Sequence, residues 1–296
     1  MKFEYAKCKS MSEARAVLFG ADTNAAGHSE SHLGLQGLKS QIRTPQFVRL
    51  ASNESPSLPR NLQIGEKLFD DGDLLIRGTS NREQIDEVKR KFQSIWRSGQ
   101  VPICLGGDHL VKHAALEELQ ATFPQTLVLY IDAHPDLVLS DVYNYATVIH
   151  QALLRDPSWV ESIFLTGMRQ INESEARGLK HWKPHIIWAQ DFHVRSIREI
   201  LANFTRLNQR FSKIYISVDL DGLDPSCAPA VEAPSPGGPL LAHILELIHQ
   251  LADAFEIVGL DISEFIPDLD TTRLTSLTSA QIVMEVYSCL RPTTLT

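Results

Sequence analysis

Cysteine is scarce: Cys8, Cys104, Cys227 and Cys289 are scattered through 296 residues, with no Cys-x-x-Cys pair and no zinc-like spacing. That excludes a disulfide scaffold and a zinc finger, and leaves incidental thiols of a reducing compartment. No apolar run is long enough to span a bilayer, and the opening MKFEYAKCKSMSEAR has no apolar core of signal-peptide length. A cytoplasmic protein without membrane association is therefore expected. An excess of base is lacking too. Lys and Arg total 28 against 36 Asp and Glu, a formal charge of -8. Phosphate backbones need clustered Lys and Arg, so nucleic acid is not an expected partner. There is no internal repeat, low-complexity tract or linker, and one domain over residues 1–296 is expected.

The composition is that of a soluble globular chain, 43% apolar and 22% charged. At this length roughly three quarters of the unfolded surface can be buried without disulfide help. Short apolar runs recur at Ala16–Gly20, Val101–Leu105, Leu127–Ile131, Ser162–Thr166, Lys183–Trp188, Lys213–Val218 and Ile257–Ile262. Leu62–Phe69 suggests a further strand, with a turn at Asp70–Asp73. Helical spacing marks Asn81–Gly99, Val111–Phe123, Ser196–Arg210, Leu240–Phe255 and Ser276–Leu290. Strand and helix alternating in this way predict an α/β fold, a three-layer α/β/α arrangement around a mostly parallel sheet.

The strands end in unusual residues. Leu127–Ile131 breaks into Asp132, His134 and Asp136. Alternate residues of an extended segment share a face, so these side chains are expected to point the same way. Val101–Leu105 runs through Gly106-Gly107 to His109; that glycine pair is neither a dinucleotide loop nor a P-loop. Lys213–Val218 runs into Asp219 and Asp221, and Ile257–Ile262 into Glu264. Carboxylates gathered at the carboxyl ends of parallel strands lie in the functional crevice of such folds, and they are costly to desolvate without a compensating cation. Calcium prefers oxygen to imidazole, and a single catalytic zinc needs three protein ligands. Six donors from His109, Asp132, His134, Asp136, Asp219 and Asp221 fit two adjacent cations. Mn²⁺ suits this mixture, with Fe, Co, Ni and Zn remaining open. His28 and His32 sit in a stretch of small polar residues that reads as a surface loop.

The segments Gly106–His109, Asp132–Asp136 and Ser217–Pro225 resemble the three metal motifs of the ureohydrolase family, which comprises arginases, agmatinases, formimidoylglutamases and their relatives. Asp261–Pro267 is similar to its Glu-containing last strand, and Phe19-Gly20 and Asp71-Gly72-Asp73 to weaker N-terminal marks. The resemblance spans nearly the whole chain. It implies an arginase-like fold and a hydrolase of a C–N bond in a small linear guanidino or formimino substrate. It further implies two Mn²⁺ ions, one on His109, Asp132, Asp136 and Asp219, the other on His134, Asp132, Asp219 and Asp221. A hydroxide between the ions would be the nucleophile, because paired cations lower the pKa of a shared water. Asp136 would pass a proton to the leaving amine, and Glu264 would pair with the cationic substrate group; a salt bridge to Arg273 is the alternative for Glu264. Family members are often trimers or hexamers, so a homo-oligomer is expected.

The chain also departs from the family. Tyr145 stands where many members carry a histidine thought to shuttle protons, and a phenol is a poor shuttle at neutral pH. His150 is a nearby substitute. Leu137, Val138 and Leu139 are apolar where amino-acid-binding members are polar, and Ala230–Ala233 replaces a Gly- and Thr-rich loop. Three readings stay open: an active hydrolase with an atypical substrate, a metal-binding protein with little hydrolase activity, and a deacetylase-like hydrolase that keeps one zinc.

Overall fold

The computed structural model describes residues 2–23, 66–205 and 210–291. Its strands are β1 (Ala16–Ala21), β2 (Leu68–Asp73), β3 (Val101–Gly106), β4 (Thr126–Ile131), β5 (Ile163–Met168), β6 (His185–Trp188), β7 (Lys213–Asp219) and β8 (Glu256–Ser263). The helices are α1 (Asn81–Arg97), α2 (Leu110–Thr122), α3 (Val148–Arg155), α4 (Glu173–Trp182), α5 (Asp191–Val194), α6 (Ile197–Thr205), α7 (Leu241–Ala254) and α8 (Leu274–Cys289). All eight strands form one sheet in the order β2-β1-β3-β8-β7-β4-β5-β6, and every pairing is parallel.

Why the central strands read as continuous apolar runs is visible in β4. Leu127, Leu129 and Ile131 enter one apolar cluster, while Val128 and Tyr130 enter another across the sheet. The first cluster is closed by Ile200 and Phe204 of α6, Ile244, Leu247 and Leu251 of α7, and Ile282, Val283 and Val286 of α8. The second is closed by Ile85, Val88 and Phe92 of α1, Val111 and Ala115 of α2, and Ile149 of α3. Helices on both faces force both faces to be apolar. The α1 helix starts on a Ser80–Glu83 capping box and is fixed near its end by Trp96 Nε1, which donates to Val258 O at 2.7 Å.

Asp70–Asp73 is not a separate turn but most of β2, at the sheet edge. An edge strand tolerates such polarity because one side needs no partner strand. Asp70 is nonetheless buried, its carboxylate accepting from the backbone of Phe3 at 2.7 Å and Gly72 at 2.9 Å. Residues 62–65, the loop histidines His28 and His32, and the stretch 206–209 within the expected Ser196–Arg210 helix lie outside the described residues. All four cysteines are free thiols, with Cys104 buried. Among the described residues no helix is long and apolar enough to cross a membrane.

Candidate metal centre

The four strands that carry His109, Glu264, Asp219 and Asp132 at their ends are consecutive in the sheet, β3-β8-β7-β4. β8 is last in the chain yet inserts between β3 and β7. Register then sets the heights: Ile131 pairs with Val218, and Asp219 with Ser263, so Asp132 and Asp219 emerge level with one another. Close approach of the two chains needs Gly222, where an added Cβ would lie 2.6 Å from the Asp132 backbone nitrogen.

The donors converge through turns, and not along an extended strand with alternating faces as the sequence suggested. β4 stops at Ile131, and Asp132 Oδ1 accepts from the His134 backbone N–H at 2.7 Å. Asp136 has φ 48° and Glu264 φ 68°. Left-handed backbone at non-glycine residues costs on the order of 1–3 kcal/mol, held here by the surrounding fold. Likewise Asp221 lies in a tight turn after β7, with its N–H given to Asp219 Oδ1 at 2.9 Å. Leu220 between them is buried in the core.

His109 Nε2 lies 3.0 Å from Asp136 Oδ2, 3.0 Å from Asp219 Oδ2 and 3.5 Å from Asp132 Oδ2. On the other side, His134 Nδ1 lies 3.1 Å from Asp221 Oδ2 and 3.6 Å from Asp132 Oδ1. Potential ligand atoms of His109, Asp132 and Asp136, and of Asp132, His134 and Asp221, fall within 4.8 Å of one another in each group. Glu264 Oε1 accepts from His109 twice, from the backbone N–H at 3.2 Å and the ring Nδ1 at 2.5 Å. A proton held on Nδ1 leaves the Nε2 lone pair facing the carboxylates, the arrangement of a metal-binding histidine with a carboxylate behind it. Burial and the charges of Asp219 and Asp132 push the Asp221 carboxyl up to about 7. Burial also raises Asp136, whose Oδ2 accepts from Tyr130 Oη at 2.5 Å. Carboxylates strained in this way are what a divalent cation stabilises.

One cation belongs to the chain itself. Lys112 of α2 is fully buried, and its Nζ donates to Asp132 Oδ2 at 3.1 Å and Asp219 Oδ2 at 3.0 Å. Nζ also sits 4.5 Å from the centre of the Tyr130 ring. Burial alone would lower this ammonium, but the charges of Asp219 and Asp132 outweigh it and raise it. Burial would likewise raise Asp132, yet Lys112 and the hydrogen bonds of His109 and His134 hold it well below the usual carboxylate range. The donor set therefore fits a divalent ion on the His134 side. On the His109 side the donors are in place, but Lys112 already holds the two carboxylates expected to be shared. Sequence reasoning missed this lysine. The available signal was its place one helical turn after His109, among Leu110, Val111, Ala114 and Ala115.

Two further residues were missed. Glu175 is buried at the start of α4 in a capping box with Asn172, and burial, with the charges of Asp136 and Asp132, lifts its carboxyl to about 7. Arg169 donates to the carbonyls of Gly167, Asp221, Gly222, Leu223 and Ser235 at 2.7–3.1 Å, pinning the turn that carries Asp221. Tyr145 opens the short turn Tyr145–Thr147 leading into α3 and is half-buried. His150 is turned toward α4, where its Nδ1 accepts from Trp182 Nε1 at 3.0 Å. Leu137 is buried in the core and Leu139 is exposed. Ala230 and Val231 are also buried, with Ala230 N donating to Thr275 Oγ1 at 3.0 Å.

Known proteins share this arrangement of chain. The agmatinase of Bacillus subtilis is 26% identical over 282 residues, covering 93% of this chain and 91% of that protein. The guanidinobutyrase of Pseudomonas aeruginosa is 25% identical over 250 residues, covering 79% and 76%. The crystal structure of the agmatine ureohydrolase of Thermoplasma volcanium superposes with a TM-score of 0.80 at 26% identity, over 98% of this chain and 94% of that one. The family model described as the arginase family matches residues 28–289, which include every strand from β2 to β8 and all the donors above. Motifs, sheet order and relatives agree: the chain belongs to the arginase family, hydrolases of C–N bonds in linear guanidines.

Proposed function

We propose that this chain is a manganese-dependent hydrolase of a small guanidino or formimino compound, cytoplasmic and homo-oligomeric. The observation that carries the reading is the convergence of His109, Asp132, His134, Asp136, Asp219 and Asp221 at the ends of adjacent strands. When bound, a divalent ion supplies the Lewis acidity that lowers the pKa of water from 15.7 toward about 7. Two such ions are what the family resemblance implies, and Lys112 intrudes on one of the two sides.

The residues divide the remaining work. Asp136, raised by burial and fixed by Tyr130, accepts a proton from the attacking water and returns it to the leaving amine. Glu264 fixes the ring of His109, and its carboxylate supplies negative charge for a cationic amidinium or guanidinium. Glu175 is a further buried acid, close enough for the charges of Asp136 and Asp132 to raise its carboxyl. Tyr145 serves as a hydrogen-bonding group where relatives have a histidine, which favours a substrate other than that of a typical arginase.

The test is a panel of arginine, agmatine, 4-guanidinobutyrate and formiminoglutamate offered to the Mn²⁺-loaded chain. Release of urea, formamide or ammonia from one of them supports the proposal. Bound metal with no turnover across the panel favours a binding protein without hydrolase activity.

A further inference from the structure

We propose that the ammonium of Lys112 takes the place of one of the two cations, so that the chain holds a single divalent ion on the Asp132–His134–Asp221 side. This rests on reading the centre as a metal site and goes beyond it in fixing the number of ions.

The assignment follows from individual oxygen atoms. Asp132 and Asp219 are the two carboxylates that a cation pair would share. Oδ2 of each accepts from the same lysine nitrogen. Asp219 Oδ1 accepts the Asp221 backbone N–H, as Asp132 Oδ1 accepts that of His134, and on each residue Oδ2 is the oxygen turned toward His109 Nε2. Asp132 is divided: Oδ2 faces Lys112, and Oδ1 faces His134. A dication placed on oxygens already held by an ammonium meets like charge at contact range, away from water.

Lys112 cannot step aside cheaply. Its side chain has no solvent exposure, the Tyr130 ring lies beside Nζ, and its neighbours Val111, Ala114 and Ala115 are buried and apolar. An ammonium swung into that cluster would lose both carboxylates and find no water. The opposite side carries no such obstacle. Asp132, His134 and Asp221 bring two carboxylates and one imidazole together, and His134 keeps 29% of its side-chain surface exposed. Three protein ligands with an accessible face are the form of a single-ion catalytic site, with a position left for water and substrate.

The full-length chain is stripped with chelator, reloaded with excess Mn²⁺, desalted, and its manganese counted by elemental analysis and recorded by electron paramagnetic resonance. One ion per wild-type chain with the spectrum of an isolated ion is expected. Lys112→Met, which keeps the length and removes the charge, and Lys112→Thr should rise to two ions with an exchange-coupled spectrum. Two coupled ions in the wild type overturn the inference and leave the metal-dependent hydrolase standing, as does a count that stays at one in both variants. No ion in the wild type overturns both. Thermal melts check that each variant folds; should neither do so, the wild-type count of one or two decides.

Discussion

Glu264 Oε1 lies 2.5 Å from His109 Nδ1, joining the end of β8 to the turn after β3. Neither residue is near the other in sequence, and the contact exists because β8 pairs directly with β3. Glu264 also takes the His109 backbone N–H, so one carboxylate fixes both the ring and its attachment.

That contact makes Glu264→Gln informative. With Lys112 holding the carboxylates on the His109 side, the charge of Glu264 is left for the cationic group of the substrate, and a hydrogen bond between charged groups contributes about 1.5–3 kcal/mol. Glu264→Gln is therefore expected to raise KM for a guanidino substrate by about 10–100-fold, while Mn²⁺ content and the far-ultraviolet circular dichroism stay those of the wild type. An unchanged KM would remove Glu264 from substrate binding, and a loss of the ion in this variant would place metal on the His109 side.

Arg169 is predicted to matter for stability before chemistry. Its guanidinium satisfies five carbonyls around the turn after β7. A lysine ammonium has three donors and no planar fork, so Arg169→Lys recovers only part of the set. Arg169→Ala should cost on the order of 3 kcal/mol in denaturant unfolding, with Arg169→Lys intermediate. A midpoint equal to the wild type in both variants would show that water replaces the guanidinium.

Glu117 predicts an acid-side effect. Its nearly buried carboxylate receives both nitrogens of Arg82 at 2.6 and 2.8 Å, Lys89 at 3.2 Å and Arg155 at 2.9 Å, tying α1, α2 and α3 together. Burial would raise this acid, but Arg82 and Arg155 outweigh it and bring it from 4.5 down to about 2. A carboxylate lowered in the folded state stabilises fully above its unfolded value and loses that contribution as pH falls from about 4.5 toward 2. Glu117→Gln should lose roughly 2 kcal/mol near neutral pH and show a shallower fall of stability across that acid range. Parallel curves for the two proteins would contradict the assignment.

Much of this was legible in the sequence, for reasons that also mark where legibility stops. Leu127–Ile131 could be placed in the core because a strand covered on both faces must be apolar at every position. The residues after it could be singled out because acids and imidazoles at that place are costly alone. Strand order could not be read, since the insertion of β8 between β3 and β7 joins segments far apart in the chain. The left-handed backbone of Asp136 was hidden for the same reason: tertiary contacts, not local preference, hold it. Lys112 shows the limit most clearly. Helical spacing places it on the face of His109, but only the packed sheet reveals that this face ends between Asp132 and Asp219. His150 looked available in sequence until α4 brought Trp182 against it.

The central claim is that a cation gathered by these strand ends drives hydrolysis, and Asp132 faces both histidines of the centre, His109 through Oδ2 and His134 through Oδ1. The decisive measurement is urea release together with manganese content in wild type and Asp132→Ala, each stripped by chelator and resupplied with Mn²⁺. Turnover that disappears on stripping, returns with Mn²⁺ in the wild type, and is absent with strongly reduced metal in the variant is the predicted result. Turnover that survives stripping, or an Asp132→Ala chain that keeps its metal and its rate, would contradict it.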